Sequence, residues 1–194
     1  MGKDNKLHII LLGRRNSGKS SLINALTGQD IAIVSDVAGT TTDLVKRSYE
    51  IPDFASVIFI DTAGIDDSGP LGEMRVEKTR NAISQADMAL LVITNNHFGE
   101  HERQLAEQLK KSEIPFLVIH NKRDEVALTP ALKEKLTTTY HCPVIDYSTR
   151  EDNTDLILDA LKSTWKKDNA PKSLIGDLLS PGDIVLLKSE AKRS

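Results

Sequence analysis

One cysteine, Cys142, stands in 194 residues. That excludes an internal disulfide and a cysteine-rich metal cluster within this chain, and leaves the thiol to pack as a small apolar group. Aromatic side chains are scarce, at 4%, so the chain does not advertise the stacking faces on which single-stranded nucleic acid is held. Charge of one sign is lacking too. A net charge of −3 gives no reason to expect a nucleic-acid-binding surface, and nucleic acid is not an expected partner. No apolar run approaches the length of a membrane span, and Met1–Lys6 is too polar for a signal peptide. No membrane contact is therefore expected, and a cytoplasmic protein fits. There is no internal repeat and no low-complexity segment. What remains is ordinary: 27% charged and 39% apolar residues, in a length that suits one sizeable domain rather than two.

Short apolar runs alternate with helical patterns almost to the end of the chain. The runs Leu7–Leu12, Asp43–Ile51, Val57–Ile60, Met88–Ile93, Phe116–His120 and Pro143–Tyr147 read as strands. Lys19–Leu26, Glu73–Gln85, Glu100–Lys111, Pro130–Tyr140 and Thr154–Lys166 read as helices. Alternation on this scale predicts an α/β fold, a mainly parallel six-stranded sheet with helices on both faces. The turn at Pro52-Asp53 is too short for a crossover, so Asp43–Ile51 and Val57–Ile60 are expected as an antiparallel hairpin. Asn169-Ala170-Pro171 breaks the pattern. Residues 1–168 are expected to form one domain, with 169–194 a linker and the start of a further one, because Ile184–Leu187 is too apolar to end a chain bare.

The first strand leads into Gly13-Arg14-Arg15-Asn16-Ser17-Gly18-Lys19-Ser20-Ser21, which contains G-x-x-x-x-G-K-S. Glycines at both ends let backbone N–H groups converge on phosphate oxygens at the positive end of the next helix. Gly13, Asn16, Ser17, Gly18, Lys19, Ser20 and Ser21 are thus candidate nucleotide-binding residues, with Lys19 reaching the β and γ phosphates and the Ser20 hydroxyl a ligand for Mg²⁺. Asp61-Thr62-Ala63-Gly64 follows the third strand. Its carboxylate can hold Mg²⁺, and the Gly64 N–H can sense a γ-phosphate. Asn121-Lys122-Arg123-Asp124 follows the fifth. Asp124 would accept hydrogen bonds from the N1–H and 2-amino group of guanine, donors that adenine lacks, and Lys122 would lie over the base and tie back to the first loop. Ser148-Thr149, after the last strand, would close the base site through a backbone N–H. Each motif follows a strand, where open α/β sheets bind ligands. The expected ligands are GTP and GDP.

In these motifs the chain resembles P-loop GTPases of the translation-factor-related branch that includes Era and MnmE, over residues 7–168. Gly39-Thr40-Thr41-Thr42-Asp43 is similar to that branch's G-T-T-x-D signature, which implies that Thr41 ligates Mg²⁺ and the γ-phosphate. The departure lies at Ser148-Thr149, where Ser-Ala is usual. Within the branch, Asp36–Asp43, Asp61–Asp67 and Leu71–Thr79 resemble the HydF family, GTPases of [FeFe]-hydrogenase maturation, and Leu178–Asp183 resembles the entry to its dimerisation domain. The cysteine-rich iron–sulfur region of that family has no match here. This resemblance implies a switch that hydrolyses GTP and gates metallocluster maturation, with maturation proteins as partners and a homodimer formed through G domains or the downstream domain. The rivals are an RNA-associated GTPase of ribosome assembly or tRNA modification, and a GTP-binding scaffold that does not hydrolyse.

Hydrolysis needs its own account. The position after Gly64, often a water-orienting glutamine, is Ile65, and no arginine is an obvious finger. Asn16 and carbonyls of Gln29–Ala38 could cage a monovalent cation. The resemblance to MnmE implies K⁺ in that cage and Glu73 as the residue that positions water. Lys19, Thr41, Gly64 and Glu73 are the catalytic candidates. Other residues carry plainer expectations. His97 and His101 suit exposed helix-start positions better than a metal site, His8 and His120 suit packed or hydrogen-bonded positions, and Trp165 suits the core of the last helix.

Overall fold

The computed structural model describes residues 6–28, 32–33, 45–62, 79–151 and 153–168. Seven strands form one sheet: β1 (Leu7–Leu12), β2 (Ala32–Ile33), β3 (Val45–Ile51), β4 (Ala55–Asp61), β5 (Met88–Ile93), β6 (Phe116–His120) and β7 (Val144–Asp146). The helices are α1 (Lys19–Thr27), α2 (Glu100–Lys111), α3 (Pro130–Tyr140) and α4 (Asp155–Asp168), and residues 79–83 are also helical. The strand order is β2-β3-β4-β1-β5-β6-β7, in which only β3 runs against its neighbours. This is the expected mainly parallel sheet with one antiparallel strand, extended at its edge by the two-residue β2 that the sequence does not signal.

The central parallel strands β1, β5 and β6 are largely apolar because both faces of the sheet are covered there, whereas β3, towards the edge, carries Lys46, Arg47 and Glu50. Side chains alternate across a strand, so Ile9 and Leu11 pack with Leu22, Ile23 and Leu26 of α1 and Ile157 and Leu161 of α4. Ile10 and Leu12 face the other way, into a cluster with Leu105 and Leu109 of α2 and Leu136 of α3. Each such buried side chain contributes about 1.5–3 kcal/mol, which holds β1 at the centre of the domain. Cys142 is buried in the second cluster, where desolvation raises its thiol to about 11. Trp165 is half-buried against the first.

Boundaries differ from expectation where pairing decides them. β4 is longer at both ends, since β3 pairs with it from Val45↔Asp61 to Ile51↔Ala55, and Asp61 is therefore the last residue of the strand. The hairpin turn between them places Asp53 at φ 57, with Phe54 N–H donating to Ile51 O at 3.1 Å. β7 is shorter than the run Pro143–Tyr147, because as an edge strand it pairs only with Val118–His120 of β6. Residues 73–78 of the expected second helix lie outside the described residues, as do 169–194.

Candidate functional site

β1 is where the sheet order reverses: the chain leaves it for β2, β3 and β4 on one side and later returns to β5 on the other. Crevices at such points, beyond the carboxyl ends of parallel strands, are where open α/β sheets bind ligands. The loop after β1 is shaped by two glycines. Gly13 has φ 138, and a Cβ there would lie 2.2 Å from the Val92 carbonyl oxygen of β5. Gly18 has φ 91, and a Cβ there would lie 2.3 Å from Asn121 Nδ2. The first glycine lets the loop sit on the sheet, and the second lets the loop after β6 touch it. Asn121 Nδ2 donates to Ser17 O at 3.0 Å across that gap. The tie between the loops expected of Lys122 is thus made by Asn121, whose buried amide fits where Gly18 has no side chain. Lys122, at φ 64, instead has its Nζ 3.9 Å from Glu125 Oε2.

Gly18 caps α1 without a side-chain hydrogen bond, so the N–H groups of its first turn are not covered by a capping side chain. Lys19 is buried, and its ammonium donates to Gly13 O at 2.6 Å and Arg14 O at 2.9 Å. Ser20 Oγ donates to Asp61 Oδ2 at 2.5 Å, which brings the end of β4 onto the start of α1. A hydroxyl and a buried carboxylate are hard oxygen donors of the kind Mg²⁺ takes, and the pair fits that ion. Thr62 Oγ1 donates to Leu11 O at 2.6 Å and fastens the turn after β4 to β1. Asn16, at φ 61, and Ser21 are exposed on the same loop and helix start. Two buried polar atoms in this region, Ser17 Oγ and Asn121 Oδ1, have no hydrogen-bond partner.

Asp124 and Ser148 meet at the other end. Ser148 is buried, and its Oγ donates to Asp124 Oδ1 at 2.8 Å, while Arg150 Nη1 donates to Asp124 Oδ2 at 3.0 Å. The Ser148 hydrogen bond, and then Arg150, hold the Asp124 carboxyl below its ordinary value against the opposing effect of desolvation. The fixed carboxylate is an acceptor at neutral pH. Thr149 stands half-buried between these two partners. Thr41, Gly64 and Glu73 lie outside the described residues, as does most of Gln29–Ala38. The described candidates lie at the ends of β4 and β1 on one side of β5 and of β6 and β7 on the other.

Residues 8–122 match the family model of the 50S ribosome-binding GTPase. The chain belongs to that family. MnmE, the tRNA modification GTPase, from Hydrogenovibrio crunogenus is 38% identical over 129 residues, which are 66% of this chain and 28% of that protein. MnmE from Nitrosomonas europaea is 39% identical over 130 residues, again 66% and 28%. The chain therefore spans little more than a quarter of these relatives. Among solved structures, Era from Aquifex aeolicus bound to GDP·AlF₄⁻ has a TM-score of 0.65 at 25% identity, over 81% of this chain and 56% of that one. Era in complex with MgGDPNP and a 16S ribosomal RNA segment has a TM-score of 0.63 at 26% identity, with the same coverage. These are P-loop GTPases of the Era and MnmE type, the branch read from the motifs. The narrower resemblance to HydF has no counterpart among these names.

Three residues around this GTPase site carried no functional signal in the sequence. Glu102, buried in the first turn of α2, receives Arg14 Nε at 2.6 Å and Nη2 at 3.3 Å, and caps Gly99 N–H at 2.8 Å. Desolvation pushes its carboxyl up, but the hydrogen bonds from Arg14 and Gly99 outweigh it and leave the group below its ordinary value. Arg150, exposed, reaches Asp124 from 26 positions away. His120 was expected to be hydrogen-bonded and is, to Asp146 at 2.7 Å. In each case the partner is far away in sequence, so no local pattern marks the pair. Among the described residues no cluster of three or more His, Cys, Asp or Glu is arranged for a metal ion, and His97 Nε2 stands 3.9 Å from Glu102 Oε2.

Proposed function

We propose that this domain binds GTP with Mg²⁺ and hydrolyses it to GDP and phosphate as a conformational switch. The observation that carries this reading is the convergence of Lys19, Ser20 and Asp61 at one end of a crevice with Asn121, Asp124 and Ser148 at the other. Backbone N–H groups of the Gly13–Ser20 loop and the Lys19 ammonium would take the phosphates. Ser20 and Asp61 would hold Mg²⁺, with Thr41 as a further ligand; the ion, when bound, offsets phosphate charge. Asp124 would pair with the guanine N1–H and 2-amino group, and Ser148 keeps that carboxylate oriented. Gln29–Asp43 and Gly64–Thr79 would be the segments that change order with the γ-phosphate. Titration with GDP, GTP and ATP tests the base assignment, and phosphate release in a single turnover separates an enzyme from a scaffold. Binding of ATP as tight as that of GTP would sink the reading.

The water-positioning role of Glu73 and the K⁺ site at Asn16 rest on likeness to MnmE. Replacing K⁺ by Na⁺ is expected to slow hydrolysis several-fold, and Asn16→Ala to abolish the difference. Equal turnover in matched KCl and NaCl would overturn the cation mechanism. A homodimer through facing G domains belongs to the same likeness.

Two readings of what the switch controls have separate support. The relatives' names, and the Era structure that contains 16S ribosomal RNA, favour an RNA-associated role such as tRNA modification and weigh against the absence of a nucleic-acid partner. The likeness of residues 36–43, 71–79 and 178–183 to HydF favours metallocluster maturation, with maturation proteins as partners. The comparisons favour the first, although the match to MnmE is confined to 28% of its length. Stimulation of hydrolysis by tRNA or ribosomal RNA supports the first reading, and stimulation by maturation proteins alone supports the second.

A further inference from the structure

The loop that carries Asn121, Lys122 and Asp124 has little apolar anchorage. Val126 is exposed, and Leu128 is only half-buried at the loop's far end. Its position is set by polar side chains drawn from three other parts of the chain. His120, fully buried as the last residue of β6, meets Asp146 of β7 through Nδ1 at 2.7 Å. Its Nε2 accepts the backbone N–H of Asn96 at 3.2 Å, so the ring proton sits on Nδ1 and the imidazole is a neutral donor to Asp146. The second oxygen of Asp146 accepts Leu128 N–H at 3.1 Å. Asn96 closes the ring: its Oδ1 accepts Thr129 N–H at 2.8 Å and its Nδ2 donates to Ala127 O at 2.9 Å. The 121–129 segment is thus held at its start by His120 and at its end, over 127–129, by Asp146 and Asn96.

From this arrangement we infer that His120, Asp146 and Asn96 are positioning residues for base recognition. They set where Asp124 stands relative to the base, and so how strongly a guanine is preferred. The inference rests on the reading of Asp124 as the guanine acceptor. Backbone bonds carry the constraint inward: Asn121 N–H donates to Ile93 O at 2.8 Å, Tyr147 N–H to His120 O at 2.8 Å, and Arg123 N–H to Tyr147 O at 3.0 Å. Asn95 and Asn96 both have positive φ, 54 and 53, a conformation that asparagine tolerates better than most residues. That geometry lets one residue present its backbone N–H to His120 and its amide to the far end of the loop. A small displacement of Asp124 would cost hydrogen bonds to guanine, while the phosphate loop meets this segment at its start, through Asn121 Nδ2 and Ser17 O, three residues from Asp124.

The experiment compares guanosine and inosine diphosphate, which differ only in the 2-amino group that Asp124 would accept, by titration of the full chain. Asn96→Gly removes the amide while keeping the positive φ and the N–H to His120; Asp146→Asn and His120→Gln attack the pair directly. Each variant is expected to lower the guanosine-to-inosine preference by about five-fold or more, with a smaller loss for inosine diphosphate, which keeps the N1–H that Asp124 also accepts. Equal loss for both nucleotides, or a lower melting temperature with the preference intact, would show a purely structural network and overturn the inference. If the buried variants fail to fold, Asn96→Gly and Asn96→Asp decide it, because Asn96 is only partly buried. No preference in the unaltered chain would instead overturn the guanine reading itself.

Discussion

At the phosphate end of the crevice, the backbone does the shaping. Gly13 and Gly18 adopt angles that side chains disfavour, and Gly13 lies against a backbone carbonyl of β5. Lys19 is held by the carbonyls of its own loop. At the base end side chains from other parts of the chain do much of the fixing: Ser148 and Arg150 on Asp124, and His120, Asp146 and Asn96 behind the loop. A backbone-shaped site tolerates few substitutions and depends on local sequence. A side-chain network divides its cost over several hydrogen bonds, each worth about 0.5–1.5 kcal/mol, and is tunable one partner at a time. The Asn121–Ser17 bond, beneath the missing Cβ of Gly18, joins the two ends.

That contrast is broken most severely at Gly13. Alanine there puts a Cβ within 2.2 Å of a strand carbonyl, and a loss of about 3 kcal/mol or more is expected in thermal or denaturant unfolding. A fall under 1 kcal/mol would mean the loop has room to move, and the phosphate end would be as adaptable as the base end. Asp124→Asn should leave folding nearly intact and weaken GDP on the order of 30- to 1,000-fold. Xanthine nucleotide should gain, because an amide can donate to its 2-oxo group. Unchanged GDP affinity in a titration would remove Asp124 from the base site.

Glu102→Gln probes a place where the phosphate loop, as at the Asn121–Ser17 bond, relies on a distant side chain. Loss of the charged pair with Arg14, half-exposed on one side and buried on the other, should cost about 1–3 kcal/mol at neutral pH. The sign with pH follows from the lowered carboxyl. Its contribution is full above the unfolded value, near 4.3, and disappears as pH falls through the lower folded value. The variant should therefore differ from the parent at pH 7 and converge with it in acid. A difference that persists unchanged to the lowest pH at which the chain folds would assign the effect to shape rather than charge.

The phosphate loop, the order of the motifs and the alternation of strands and helices were determined by the sequence alone, because each rests on local rules. Gly13 and Gly18 are required by backbone angles within one turn. Strand and helix periods are set by neighbouring residues, and the covered faces of β1 follow from the unbroken apolar run Leu7–Leu12. Tertiary structure decided which distant groups meet. Arg14 and Glu102 are 88 positions apart, and His120 and Asp146 are 26 apart, separations at which no spacing rule operates. Pairing partners, not residue preference, ended β7 after three residues and carried β4 on to Asp61. Hydrogen bonds between remote side chains form only once the strands that carry them are aligned. Their chemistry is written in the chain, but their distance belongs to the fold.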